Sequence, residues 1–220
     1  MSEKRKIQNP LAKELKRTEF RVVIFGSARL TKSDKIYKQV YKLAKEIGKN
    51  GIDIVTGGGL GLMEAANAGH EAGDKEDVAD SIGLTIQLPW EPKKNVYLEL
   101  KKHFKKFSHR LDHFMALSSV AVIMPGGVGT CLEFFYTWQL IQVKHICPIP
   151  VILVGKMWEK LIEWIKNYPL KQGLISKRDM KQLYLAKNNK EAIQIIKNTR
   201  EIFKKEGDDY CQNIKKYKLD

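Results

Sequence analysis

Residues 119–135 read SVAVIMPGGVGTCLEFF, and this stretch decides the fold class. From Val120 to Met124 the chain is a short, continuous apolar run without in/out alternation, the pattern of a strand buried on both faces. Pro125-Gly126-Gly127 breaks it, and an apolar helix is expected from about Thr130 to Val143. Strand, glycine-rich turn and helix together make half of a parallel crossover unit. Working outward, the same order recurs. FRVVIF (20–25) runs into Gly26, and helical spacing through Ile36, Val40, Leu43, Ala44 and Ile47 fills 33–50 before Lys49-Asn50-Gly51 stops it. IDIVT (52–56) runs into Gly57-Gly58-Gly59 and the helix LMEAANAGHEAG; SIGLTIQL (81–88) is stopped by Pro89. Residues 96–117 are expected to be helical. PIPVILVG (148–155), MWEKLIEWIKNY (157–168), LYLA (183–186) and a helix from near Asn189 complete the series. The expected fold is α/β: a Rossmann-like doubly wound parallel sheet in a single domain, six strands strong, with its ligand at the carboxyl ends of the strands.

A chain of 220 residues, 43% hydrophobic and 29% charged, has enough apolar material for one such domain and excludes intrinsic disorder and a disulfide-stapled mini-protein. The domain is expected over residues 20–200, with an N-terminal helical extension (1–19, including an amphipathic helix over 8–17) and a Lys-rich C-terminal tail (201–220). No apolar run is long enough to span a membrane, and MSEKRKIQNP has no apolar signal core. Three cysteines, Cys131, Cys147 and Cys211, form no CxxC pair; so sparse and odd a count fits reduced thiols, a cytoplasmic setting and no structural zinc. The net charge of +14 is concentrated in residues 1–21 (+4), 93–110 (+6) and 181–220 (+4). Nucleic acid is not the expected partner, because no aromatic platform or known nucleic-acid motif interleaves these lysines. The segment KKNVYLELKKHFKKFSHR (93–110) differs from the ends of the chain: it leads into Arg110, where a positive field would draw in a phosphorylated substrate.

Three strand-to-helix turns are rich in small residues: Gly26-Ser27-Ala28-Arg29, Gly57-Gly58-Gly59-Leu60-Gly61 and Gly126-Gly127-Val128-Gly129-Thr130. Glycine can serve only to turn the chain. Three such loops at one sheet edge, backed by helix N-termini, favour a cradle for an anion. Neither GxGxxG after the first strand nor GxxxxGK[ST] is present, so a mononucleotide held by its phosphate is favoured over a dinucleotide or a Walker-type triphosphate. Glu133, three residues after Thr130, reads either as a first-turn capping carboxylate or as an acid beside whatever the loop holds. Arg110 reads either as one more solvated cation or as an anchor for phosphate and a partner of Glu133. Cys131 reads as a small filler rather than a nucleophile. His109 and His113 lack further ligands at metal spacing, so no metal is expected. Trp138, Trp158 and Trp164 read as core or interface anchors.

Pro125–Glu133 (PGGVGTCLE) resembles the PGGxGTxxE motif of the LONELY GUY (LOG) family, cytokinin riboside 5'-monophosphate phosphoribohydrolases formerly labelled lysine decarboxylases. Arg110 falls where that family places its arginine, GGGLGLMEAAN (57–67) resembles its second glycine loop, and GLTIQLP (83–89) its following strand. The likeness spans roughly residues 20–200. The chain has Leu111 where many members have lysine, Leu132 where many have a second acid, and Gly-Ser-Ala-Arg for the commoner Gly-Ser-Ser. The resemblance implies hydrolysis of the N-glycosidic bond of a nucleoside 5'-monophosphate, giving free base and ribose 5-phosphate, in the service of cytokinin formation or nucleotide salvage. It implies catalytic roles for Arg110 and Glu133. Nucleotide-binding roles pass to Gly26, Ser27, Gly58, Gly59, Gly61, Met63, Gly126, Gly127, Gly129 and Thr130. It implies no metal and no cofactor, and a homodimer or larger assembly, the last matching a motif helix more apolar (Phe134, Phe135, Trp138, Leu140, Ile141) than one face can bury. The alternative on the same fold is a non-catalytic carrier of a nucleotide or molybdenum cofactor.

Overall fold

The computed structural model of the chain describes residues 17–86, 95–217 and 219. The helix expected over 8–17 and the stop at Pro89 lie outside these residues. Seven strands form one sheet: β1 (Arg21–Phe25), β2 (Asp53–Thr56), β3 (Ser81–Ile86), β4 (Leu100–Phe104), β5 (Val120–Ile123), β6 (Val151–Val154) and β7 (Leu183–Ala186). Their order is β4-β3-β2-β1-β5-β6-β7, and every pairing is parallel. The chain winds outward from β1 to β4, then returns to the other side of β1 with β5. The topological switch therefore lies between β1 and β5, where crevices form in sheets of this kind.

Successive side chains of the inner strands enter two different cores. Val22 and Ile24 of β1 meet Ile54, Val122 and Ile152 beneath helices α1 (Lys35–Lys49), α2 (Leu62–Gly73) and, further along the chain, α6 (Asn189–Glu206). Val23 and Phe25 meet Val55, Ile123 and Leu153 on the other face. That face is covered by α3 (Phe107–Leu117), α4 (Val128–Gln142) and α5 (Met157–Ile165). A run buried on both sides needs no polar alternation, which is why the strand sequences are continuous apolar blocks. Fully buried Phe114, Phe134 and Trp158 each contribute about 1.5–3 kcal/mol by leaving water. Pro169 has no N–H to donate, and beyond Ile165 the expected helix widens into a π turn over Lys166–Leu170.

Two expectations are corrected. Residues 96–117 are not one helix: Leu100–Phe104 form edge strand β4, and α3 starts only at Phe107. The burial of LKKHF alternates along the strand, because an outermost strand keeps one face wet and its lysines discourage pairing with another chain. The three cysteines are not all thiols: Cys147 and Cys211, 64 residues apart, form a disulfide, and only Cys131 is free. Of the Lys-rich C-terminal stretch the structure describes residues 201–217 and 219. Residues 201–206 continue α6, and residues 207–217, including the short helix α7 (Asn213–Lys216), pack back onto the domain, where Asn213 is buried. Among the described residues, no helix is long and apolar enough to cross a membrane.

Candidate active site

The three glycine-rich loops meet at the switch point and are tied together by backbone hydrogen bonds. The Ser27 amide donates to the Pro125 carbonyl at 3.2 Å, and the Ser27 carbonyl accepts from the Leu62 amide at 2.9 Å. The second loop keeps its shape through a buried polar network. The Thr56 hydroxyl accepts from the Gly58 amide (3.1 Å) and donates to Asn67 Oδ1 (2.8 Å); Asn67 Nδ2 donates to Ser81 Oγ (2.8 Å). Asn95 Nδ2 closes the network on Asn67 Oδ1 (2.9 Å) and the Gly59 carbonyl (3.1 Å). Gly61, at φ +68°, lies so close to Ser27 and Ala28 that a side chain there would meet their backbone atoms.

Between the loops is a cavity of about 570 Å³. Of the twelve residues the sequence pointed to, ten line it: Gly26, Ser27, Gly58, Gly59, Met63, Arg110, Gly127, Gly129, Thr130 and Glu133. Gly61 lies behind the wall, and Gly126 is pressed against the Thr130 side chain. The third loop separates two uses of glycine. A Cβ at Gly126 would collide with Thr130, whereas at Gly127 and Gly129 it would meet nothing within 4 Å, and neither residue needs the left-handed backbone region. Packing and turning therefore do not account for glycine at 127 and 129.

Helix α4 begins at Val128, two residues earlier than expected, with Gly127 as its cap and no side chain bonded to its first turn. An α-helix leaves its first amides without intrahelical partners, so those of Val128, Gly129 and Thr130 stand at the cavity wall with the positive end of the helix dipole. Glu133 falls in the second turn, so the capping reading of this residue is set aside.

The Glu133 carboxyl is partly buried in the cavity wall. Burial pushes it up to about 7, and the Arg110 guanidinium opposes that shift without cancelling it. Arg110 is held by two carbonyls at the carboxyl ends of neighbouring strands: its Nε donates to Leu84 O (2.6 Å) and its Nη2 to Gly57 O (3.2 Å). Its guanidinium also lies 5.3 Å from the centre of the Phe114 ring. The basic segment thus delivers a fixed cation rather than a solvated one.

Sequence reasoning missed Arg29, the other cation on the cavity wall, and the apolar wall of Ile86, Phe107, Leu111 and Leu132. Arg29 was in view, in the loop where this chain departs from Gly-Ser-Ser. Leu111 and Leu132 showed only as departures from the family pattern, and Ile86 and Phe107 gave no signal, since each reads equally well as core. Both ring nitrogens of His113 have partners within the chain. Its Nδ1–H donates to His109 O (2.7 Å), so its Nε2 accepts from Lys102 Nζ (2.6 Å), and burial holds the ring below the ordinary imidazole range. Among the described residues, no cluster suits a metal ion. Trp158 is core, Trp138 donates to Asp179 O (2.8 Å), and Trp164 is half exposed.

A pyrimidine/purine nucleotide 5'-monophosphate nucleosidase of Escherichia coli K12 is 28% identical over 141 residues, which are 61% of this chain but only 30% of that enzyme. The molybdenum cofactor carrier protein of Chlamydomonas reinhardtii superposes with a TM-score of 0.62 at 21% identity, over 83% of this chain and 99% of its own. The molybdenum cofactor binding protein of Rippkaea orientalis gives 0.60 at 20% identity, over 83% and 98%. At these identities the superpositions establish a shared fold. The family model described as "Possible lysine decarboxylase" matches residues 62–196, from the start of α2 to the middle of α6 and across both Arg110 and Glu133. The chain belongs to that family, the LONELY GUY family of Rossmann-like proteins.

Proposed function

We propose that the protein is a nucleoside 5'-monophosphate phosphoribohydrolase acting on AMP or a cytokinin riboside 5'-monophosphate. The observation that carries this reading is the placement of Glu133 and Arg110 in one cavity with an uncapped helix start and two open glycines. The nucleosidase named above supports the same reaction class.

The 5'-phosphate is gripped by the amides of Gly127–Thr130, with Gly26, Ser27, Gly58 and Gly59 closing the cradle. The base lies against the apolar wall. The ribose is left beside Glu133 and Arg110. As the C1'–N bond breaks, positive charge develops on the sugar, and a carboxylate beside it lowers the barrier. Water adds its oxygen to C1', one of its protons passes to Glu133, and the leaving base nitrogen ends protonated. A carboxyl at about 7 suits both halves of that transfer near neutral pH. Arg110, fixed by Leu84 and Gly57, orients Glu133 and the sugar. Binding energy from the remote phosphate positions the reacting carbon. No step calls on a metal or cofactor. A carrier would gain nothing from a carboxylate that repels an anionic ligand.

The test is incubation with AMP, other monophosphates and adenosine, with release of free base and ribose 5-phosphate as the readout. Monophosphates should turn over and adenosine should not. Glu133→Gln should abolish release while leaving monophosphate binding intact. Turnover retained in that variant would remove Glu133 from the mechanism.

We also propose that the protein works as a homodimer or larger assembly with α4 at the interface. Only Thr130, Phe134 and Thr137 of this apolar helix are buried in the single chain, and Phe135 remains 39% exposed.

A further inference from the structure

The C-terminal segment touches both helices that carry the candidate catalytic pair. Asp112 sits two residues beyond Arg110 on α3, and Tyr136 three residues beyond Glu133 on α4. Asp112 Oδ1 accepts from the Tyr136 hydroxyl at 2.7 Å and from the Tyr217 hydroxyl at 2.7 Å, and the two phenol oxygens lie 3.3 Å apart. Burial, with the nearby carboxylate adding to it, raises both phenols above their ordinary range, so both stay protonated and donate. One carboxylate oxygen therefore joins α3, α4 and the end of the chain.

The segment is anchored at three further points. Asn213 is buried; its Oδ1 accepts from the Cys147 amide (2.6 Å), just past α4, and its Nδ2 donates to Ser118 O (2.9 Å), just past α3. Lys216 Nζ donates to Ile146 O (3.2 Å). The Cys147–Cys211 disulfide fastens the segment covalently at its start. Of its two residues, Cys147 is buried and Cys211 is exposed.

We propose that the segment Gly207–Tyr217 is a positioning strap. Through Tyr217, Asp112 and Tyr136 it sets the placement of the Arg110 helix against the Glu133 helix, and the Cys147–Cys211 bond keeps it in place. The proposal rests on the phosphoribohydrolase reading, and it adds residues remote from the cavity to that site. A dithiol reductant would release the strap. Its thiolate attacks the sulfur of Cys211, the exposed residue of the pair, Cys147 leaves as a thiolate and is protonated, and the second thiol resolves the mixed disulfide. Two electrons and two protons pass to the protein, and the dithiol becomes a cyclic disulfide.

The experiment uses the full chain. Tyr217→Phe removes one hydroxyl and keeps the ring. It should lower kcat for monophosphate hydrolysis about 5–20-fold with KM within twofold, since small misplacements of reacting groups cost rate more than binding. The acid limb of the pH profile should move, and the melting temperature should stay near that of the wild type. Dithiothreitol, with thiol release verified, should lower kcat of the wild type similarly and have little further effect on Tyr217→Phe. The Glu133 carboxyl, titrated by carbon-13 NMR and assigned by its loss in Glu133→Gln, gives a second readout that needs no turnover. It shares the cavity with Arg110 and Arg29, the cations on that wall, so its titration reports a shift of α3 against α4. If the wild type releases no base, the nucleosidase reading fails while this titration still decides the strap. Unchanged kcat and unchanged Glu133 titration in Tyr217→Phe would overturn the strap, and an unchanged reduced wild type would overturn the fastening role of the disulfide.

Discussion

The guanidinium of Arg110 pulls the Glu133 carboxyl down while burial pushes it up, and burial wins, leaving the acid at about 7. If Glu133 must be ionised to act, kcat/KM should fall below pH 7 with a single-proton acid limb. Arg110→Gln removes the opposing cation, so the carboxyl should rise further and the limb should move to higher pH. A limb that stays in place in Arg110→Gln would mean that another group titrates.

The same burial costs stability. Glu133 has a folded-state value above its ordinary 4.5, so between about 4.5 and 7 the folded protein binds more protons than the unfolded chain. Stability from this group is full below pH 4.5 and declines as pH rises through 7. Glu133→Gln should therefore stabilise the protein at pH 8 by on the order of 1–2 kcal/mol and change little at pH 4.5. Thermal melts of both proteins at the two pH values provide the check; an equal shift at both would point to packing rather than charge.

The glycines of the third loop and its neighbour should separate by function. Gly127→Ala and Gly129→Ala meet open space, so melting temperatures should hardly change while KM for a monophosphate rises tenfold or more, about 1.4 kcal/mol of lost binding. Gly126→Ala drives into Thr130, and Gly61→Ala is strained at φ +68° and strikes the Ser27–Ala28 backbone. Those two should lose stability first, by roughly 1–3 kcal/mol. Calorimetry paired with steady-state kinetics on the four variants decides it, and uniform loss of stability would remove the argument that 127 and 129 are open for a ligand.

What could be read from the residues follows from what each position has to satisfy. β1, β2, β3, β5 and β6 were legible because two-sided burial leaves an unbroken apolar block, and the edge strand β7, though half exposed, because LYLA is still a short apolar run. β4 was not, because an edge strand is half wet and LKKHF has too few apolar residues to show a period. The glycine loops and the Arg110–Glu133 pair were legible from composition and a nine-residue motif. Their connection through Ser27 was not, because a backbone hydrogen bond between Ser27 and Pro125 leaves no mark on side-chain identity. The start of α4 was placed late because glycine at 127 and 129 hides a helix N-terminus that has no capping side chain. Cys147 and Cys211 are 64 residues apart, and pairing at that distance depends on how residues 207–217 fold back, which local pattern cannot show.

Helix α4 supplies the last prediction. It carries Glu133 toward the cavity, yet Phe135, two residues on, is exposed, as is Val143 just past its end at 48%. An isolated helix this apolar is expected to be covered. Light scattering at micromolar concentration should therefore give at least twice the chain mass. Phe135→Glu, which puts a charge in the proposed contact, should shift the population toward monomer, and a Phe135→Leu control should not. If the wild type is monomeric at that concentration, the interface is wrong. If Phe135→Glu is monomeric yet keeps full turnover, α4 belongs to the contact but the site is complete within one chain.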